Sequence, residues 1–248
     1  MKYVFAVTRL AQGLCLLFLI AISANTANAS LLTNGDFETG DLTGWTEPVT
    51  PSGWSVGTPA LSGGFSAISA PPGAFNKTLR QEVSPLTDDT TLTMQFSAPS
   101  STTSSARSLN FYLEASNFFR MNLRIVDEGS DGDGDLQAFD NVASTPASGW
   151  TTLLNDISFD TAHTLTVNVT GLGTVDTASF TADVDGNTSA PIQAFQSGIP
   201  FSISRVELVN NNIGWTVDNV TLSVIPEPAS LALLGFSGIA MVIRRRGS

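Results

Sequence analysis

Residues 30–224 predict an all-β fold of two antiparallel sheets packed face to face, and three observations lead there. Apolar and polar residues alternate with a period of two in one segment after another, and no useful length of this region repeats with a helical period. The alternating segments are bounded by clusters of Gly, Pro, Ser and Asn, the residues that turn a chain. Each segment is apolar on one side only, which suits a sheet with one face on a core and the other in water. A region of about 196 residues can bury one sizeable core, so a single jelly-roll β-sandwich is the economical arrangement.

The segments fall in order. Leu92, Met94 and Phe96 share one side, as do Leu109, Phe111 and Leu113, with Tyr112 pointing the other way. Phe119, Met121, Leu123 and Ile125 face the core while Arg120, Asn122 and Arg124 face outward. Leu165, Val167 and Val169 repeat the theme, and Phe180, Ala182 and Val184 make a further strand before the turn Asp185-Gly186-Asn187. Val206 with Leu208, then Val220, Leu222 and Val224, complete the set. Residues 99–107, rich in Ser and Thr, and 127–134, acidic and Gly-rich, read as loops.

Both ends differ from this middle. Lys2 and Arg9 precede an apolar run at 10–22, and Ala27-Asn28-Ala29 is the small-x-small pattern that signal peptidase cleaves, so residues 1–29 read as a signal peptide with a signal helix. Cys15, the single cysteine, leaves with it, and the remaining chain has no disulfide framework. Residues 225–248 hold Pro226-Glu227-Pro228, an apolar stretch at 229–243 and the cluster Arg244, Arg245, Arg246. A 15-residue helix spans roughly 22 Å, short of a ~30 Å hydrocarbon core. The prolines separate it from the fold, and the arginines hold its end on the cytoplasmic side, as in a transient transmembrane helix. This end resembles the PEP-CTERM sorting signal of exopolysaccharide-producing Gram-negative bacteria. The resemblance implies cleavage near Pro-Glu-Pro by an exosortase and delivery to the cell surface or extracellular matrix.

Between the ends, 21 acidic residues stand against six basic ones, Lys77, Arg80, Arg107, Arg120, Arg124 and Arg205. Such a surface repels nucleic acid and anionic lipid and suits divalent cations. The chain holds a single histidine, His163, and no nucleophile elbow, so triad, thiol and zinc chemistry lack their parts. A small glycan hydrolase would need only two carboxylates across a groove. Sugar binding needs aromatic faces beside polar groups. Trp54, in a Ser-Gly-Trp-Ser loop, and Tyr112 are the candidates, while Trp45 and Trp150 read as core.

The chain opens this region with Asn34-Gly35-Asp36-Phe37-Glu38-Thr39-Gly40 and Gly44-Trp45-Thr46, and closes it with Trp215-Thr216-Val217-Asp218-Asn219-Val220. Leu79-Arg80-Gln81-Glu82-Val83 and Gly149-Trp150-Thr151 lie between. That arrangement is similar to the galactose-binding-like jelly rolls, which include many carbohydrate-binding modules. First and last strands of a jelly roll lie side by side, which would let Glu38 and Asp218 converge. Two buried carboxylates repel unless a cation neutralises them. The resemblance implies a structural calcium at Glu38 and Asp218, with Asn34 assisting; the alternative is that both acids bond to turn amides. Asp131, Asp133 and Asp135 form a second, EF-hand-like acidic loop that lacks glycine at Leu136 and a bidentate glutamate. The expectation is an exported, non-enzymatic surface or matrix protein associated with exopolysaccharide, the alternative a calcium-containing lectin-like module.

Overall fold

The structure, a computed structural model, describes residues 29–48, 53–69, 77–99, 107–115, 120–127, 133–139, 149–193, 200–211 and 214–225. In chain order the strands are β1 (Trp54–Gly57), β2 (Ser66–Ser69), β3 (Lys77–Leu86), β4 (Thr90–Ser97), β5 (Arg107–Glu114), β6 (Arg120–Asp127) and β7 (Asp133–Phe139). Then come β8 (Trp150–Ser158), β9 (His163–Thr170), β10 (Ser179–Val184), β11 (Asn187–Thr188), β12 (Ile192–Gln193), β13 (Ile203–Asn211) and β14 (Thr216–Val224). Among the described residues no helix is long and apolar enough to cross a membrane. Both terminal helices expected from the sequence lie outside the described residues.

Two antiparallel sheets result. One runs β1-β2-β14-β4-β9-β10-β11 with β12 also on β10, and the other runs β3-β13-β5-β6-β7-β8. Non-consecutive neighbours and one shared core make this an all-β sandwich of jelly-roll type. The inward sides predicted from the alternation are the core: Leu92, Met94, Phe96, Leu109, Phe111, Leu113, Met121, Leu123, Ile125, Leu165, Val167, Val169, Val206 and Leu208 are all buried. Trp215 packs edge-on against Phe159 at 5.9 Å, closing one end of the core. The Asp185-Gly186 turn joins β10 to β11 with both residues at positive φ, 52° and 90°, the geometry that twists a two-residue hairpin correctly.

Arg107, Asp127, Asp133 and Gly134, at the edges of two expected loops, are strand, while residues 100–106 and 128–132 lie outside the described residues. Arg107 opens β5 and Asp127 ends β6; they are register partners, fully buried, and joined as an ion pair through Arg107 Nη2 and Asp127 Oδ2. Arg107 also lies over the Phe159 ring at 5.3 Å. Mutual neutralisation lets charged residues occupy positions where the alternation breaks. Asp133 and Asp135 of the expected acidic loop sit in the extended strand β7, paired to β8 and β6, and Asp131 lies outside the described residues.

Candidate functional site

The outer face of the six-stranded sheet carries an unusual selection of side chains. Register aligns them in rows across the strands. One row reads Glu82, Arg205, Glu114 and Arg120 from β3 to β6. The next reads Arg80, Glu207, Tyr112 and Asn122, and a third Asn110, Arg124, Gln137 and Thr152, reaching β8. Four of the six basic residues of this acidic domain therefore share one face.

The face has two halves. On β3, β13 and β5 the charges compensate: Arg205 binds Glu82 at 2.7 Å and Glu114 at 3.4 Å. Despite its partial burial these carboxylates hold the Arg205 guanidinium above its ordinary value. Glu207 is pushed up by burial and then by the neighbouring Glu114. A carboxylate whose folded pKa is raised destabilises the fold once it ionises, so its cost appears as pH rises above the unfolded value. Glu207→Gln is expected to raise the urea midpoint at pH 7 and to leave it unchanged near pH 3, where the glutamate is protonated in both states.

On β6, β7 and β8 the half is cationic and aromatic. Arg124 stacks over the Trp150 ring at 4.0 Å and donates from Nε and Nη2 to Gln137 Oε1 at 2.9 and 2.6 Å. Phe139 meets Trp150 edge-on at 5.4 Å, and Arg120 lies over Tyr112 at 4.7 Å. Burial raises the Tyr112 phenol above its usual value, with Arg120 opposing, so it stays a neutral donor at physiological pH. The side-chain oxygen of Asn122 is buried and, among the described residues, has no hydrogen-bond partner. Planar rings, amides and guanidinium forks on one surface are the groups that recognise sugars and their substituents.

Of the residues the sequence singled out, Tyr112 lies on this face. Trp54 does not: it is 3% exposed and donates its indole N–H to the Lys77 carbonyl at 2.9 Å, so it offers no ring to a ligand. Trp150, expected in the core, is half-buried on the outer face instead, because it opens an edge strand where Arg124 supplies its cover. Trp45 is core as expected. Asn122, Gln137 and Trp150 were not singled out as site residues; the outward side of the 120–124 alternation was the signal for Asn122, while only strand pairing brings Gln137 and Trp150 to the face.

Glu38 and Asp218 do converge, on the loop 61–66. Glu38 Oε1 accepts the amides of Gly64 and Phe65 at 2.8 and 3.1 Å. Asp218 Oδ2 accepts from Ser62 N at 3.0 Å and Ser66 Oγ at 2.8 Å, while Oδ1 takes Asn219 N at 2.7 Å. Asn34 instead organises its own turn, donating to the carbonyls of Asp41 and Thr43 and taking Thr39 N. Gly35 lets this segment lie against β14: a Cβ there would stand 1.9 Å from the Val220 carbonyl oxygen. The two carboxylates are thus already supplied with N–H and O–H donors, and among the described residues no group of three His, Cys, Asp or Glu could hold a metal.

His163 opens β9 beside a cleft of about 280 Å³ lined by Leu154, Asp156, Ser158, Asp185 and Asn187 among others. Its Nδ1 lies 2.6 Å from Asp185 Oδ2, and its Nε2 lies 2.6 Å from the Ser158 carbonyl oxygen. Thr161 Oγ1 is 2.8 Å from Nε2. These contacts tie the start of β9 to the end of β8 and to the β10–β11 turn. Against its partial burial, the Thr164 amide and His163 hold Asp185 below the usual carboxylate range.

The fold and its polar sheet face define an all-β sandwich of jelly-roll type. Residues 224–246 match the PEP-CTERM protein-sorting motif, which implies exosortase-dependent export and sorting from a membrane anchor. A comparison with curated proteins finds no match. Among solved structures, an alginate lyase, Aly36B, in complex with an alginate trisaccharide is 12% identical with a TM-score of 0.52, over 82% of this chain and 96% of that one. An endo-β-1,4-glucuronan lyase from the fungus Trichoderma reesei is 11% identical with a TM-score of 0.51, over 75% and 93%. Identities this low concern the fold alone.

Proposed function

We propose that this is an exported, non-enzymatic protein of the cell surface or extracellular matrix that binds exopolysaccharide through the outer face of its six-stranded sheet. The observation that carries the reading is the gathering of Arg120, Arg124, Tyr112, Trp150, Asn122 and Gln137 on one face. The PEP-CTERM motif supports delivery outside the inner membrane after exosortase and signal peptidase have acted. The two lyase neighbours act, by name, on polysaccharides, which fits a sandwich used for glycans.

A binding role suits the chemistry better than catalysis. Tyr112 is held neutral, the carboxylates Glu82 and Glu114 are bridged by Arg205, and His163 lies on the other sheet. Calcium at Glu38 and Asp218 would have a structural part only, and would compete there with the N–H and O–H donors that both carboxylates already accept. Arg124→Ala and Trp150→Ala are expected to weaken retention of the exported protein on its producer's exopolysaccharide by roughly tenfold each, since each removes a charge-assisted or stacking contact. Affinity electrophoresis measures this. Unchanged mobility of both variants would remove the face from the account.

A further inference from the structure

We infer that the polysaccharide is carboxylated, a chain carrying uronate residues, with Arg124 and Arg120 meeting the carboxylates while Trp150 and Tyr112 support sugar rings. This rests on the binding role proposed above and adds the chemical class of the ligand. The domain carries 21 acidic against six basic residues, so an acidic polymer meets repulsion over most of its surface. Four of those six bases nonetheless lie within three rows of a single sheet face.

Within that face the cationic half is distinct. The described residues of β6, β7 and β8 in these rows are Arg120, Asn122, Arg124, Gln137, Phe139, Trp150 and Thr152, none of them acidic. Asp135, the next acid on the same side of β7, pairs one row further along with Val126. A neutral glycan would be served by the rings and amides alone. Arginines held against aromatic rings are planar donor groups of the kind that pair with carboxylates, with Arg124 keeping its Nε–Nη2 edge on Gln137. Arg120 and Arg124 lie four residues apart on one strand, roughly 13 Å. One carboxylate cannot bridge them, so the face fits a polymer with repeated charges.

The test uses the exported protein with two pairs of probes: the producer's exopolysaccharide before and after carbodiimide–borohydride reduction of its carboxyls, and polygalacturonate beside its methyl ester. Retention on each is read by affinity electrophoresis. The inference predicts binding to the native polymer and polygalacturonate, weakened roughly tenfold or more by reduction or esterification. Arg124→Lys should retain part of the preference for the charged form and Arg124→Gln should abolish it, with melting temperatures confirming that both variants fold. Equal binding to native and carboxyl-reduced exopolysaccharide would overturn the carboxylate reading while leaving the binding role standing. So would a preference for dextran sulfate over polygalacturonate. Failure to bind native exopolysaccharide at all would overturn both.

Discussion

Asp218→Ala is expected to destabilise the protein by about 3–5 kcal/mol, the range seen when a buried charged acceptor is removed from its partners. The carboxylate is fully buried and serves three donors: Ser62 N, Ser66 Oγ and Asn219 N. Without it those donors remain desolvated and unanswered. The bonds to Ser62 and Ser66 span about 150 residues of sequence, so their loss frees a loop as well as a contact. Glu38→Ala removes acceptors for Gly64 and Phe65 that are open to water, which can replace them, and should cost under about 1 kcal/mol. Urea denaturation of both variants gives the comparison, and similar losses would contradict it. Chelator adds an arm: a calcium-dependent rise in melting temperature should disappear in Asp218→Ala.

The second large effect concerns Arg107 and Asp127. Asp127→Ala leaves a guanidinium 1% exposed without its counter-charge and is expected to cost about 3–5 kcal/mol. Burial already pushes the Arg107 guanidinium below its ordinary value, which shows the strain on the charged form. Replacing both partners with apolar residues of similar volume, Arg107→Met with Asp127→Leu, should recover most of that loss, because neither charge then has to be desolvated. Thermal and urea unfolding of the single and double variants form a mutant cycle. Additive losses would mean that the two residues act separately.

The sandwich was legible because its signal is local: every second residue of a strand declares its side, as at Leu109, Phe111 and Leu113. What the alternation could not show was the depth of a charged residue. Arg107 and Asp127 look like loop residues until β5 and β6 are placed side by side, since only a partner across the sheet makes burial tolerable. Trp54 and Trp150 were exchanged for a related reason. A glycine and two serines around Trp54 suggest exposure, yet its indole N–H finds the Lys77 carbonyl and the ring sinks. Trp150 opens an edge strand, and only the register to Phe139 and beyond brings Arg124 over it. Convergence of Glu38 and Asp218 followed from jelly-roll geometry, whereas the loop 61–66 that they share carries no motif. The cationic face was half visible in Arg120, Asn122 and Arg124; Gln137 and Thr152 join it only through pairing.

Backbone amide NMR of the exported protein, titrated with oligosaccharides from its producer's exopolysaccharide, addresses the main assertion at residue resolution. Resonances of Tyr112, Asn122, Arg124, Gln137 and the Trp150 indole should move together and saturate at one concentration, while those around Asn34 and Ser62 stay in place. Movement confined to the 31–48 and 61–66 segments, or spread evenly over both sheets, would show that the sugar is held elsewhere.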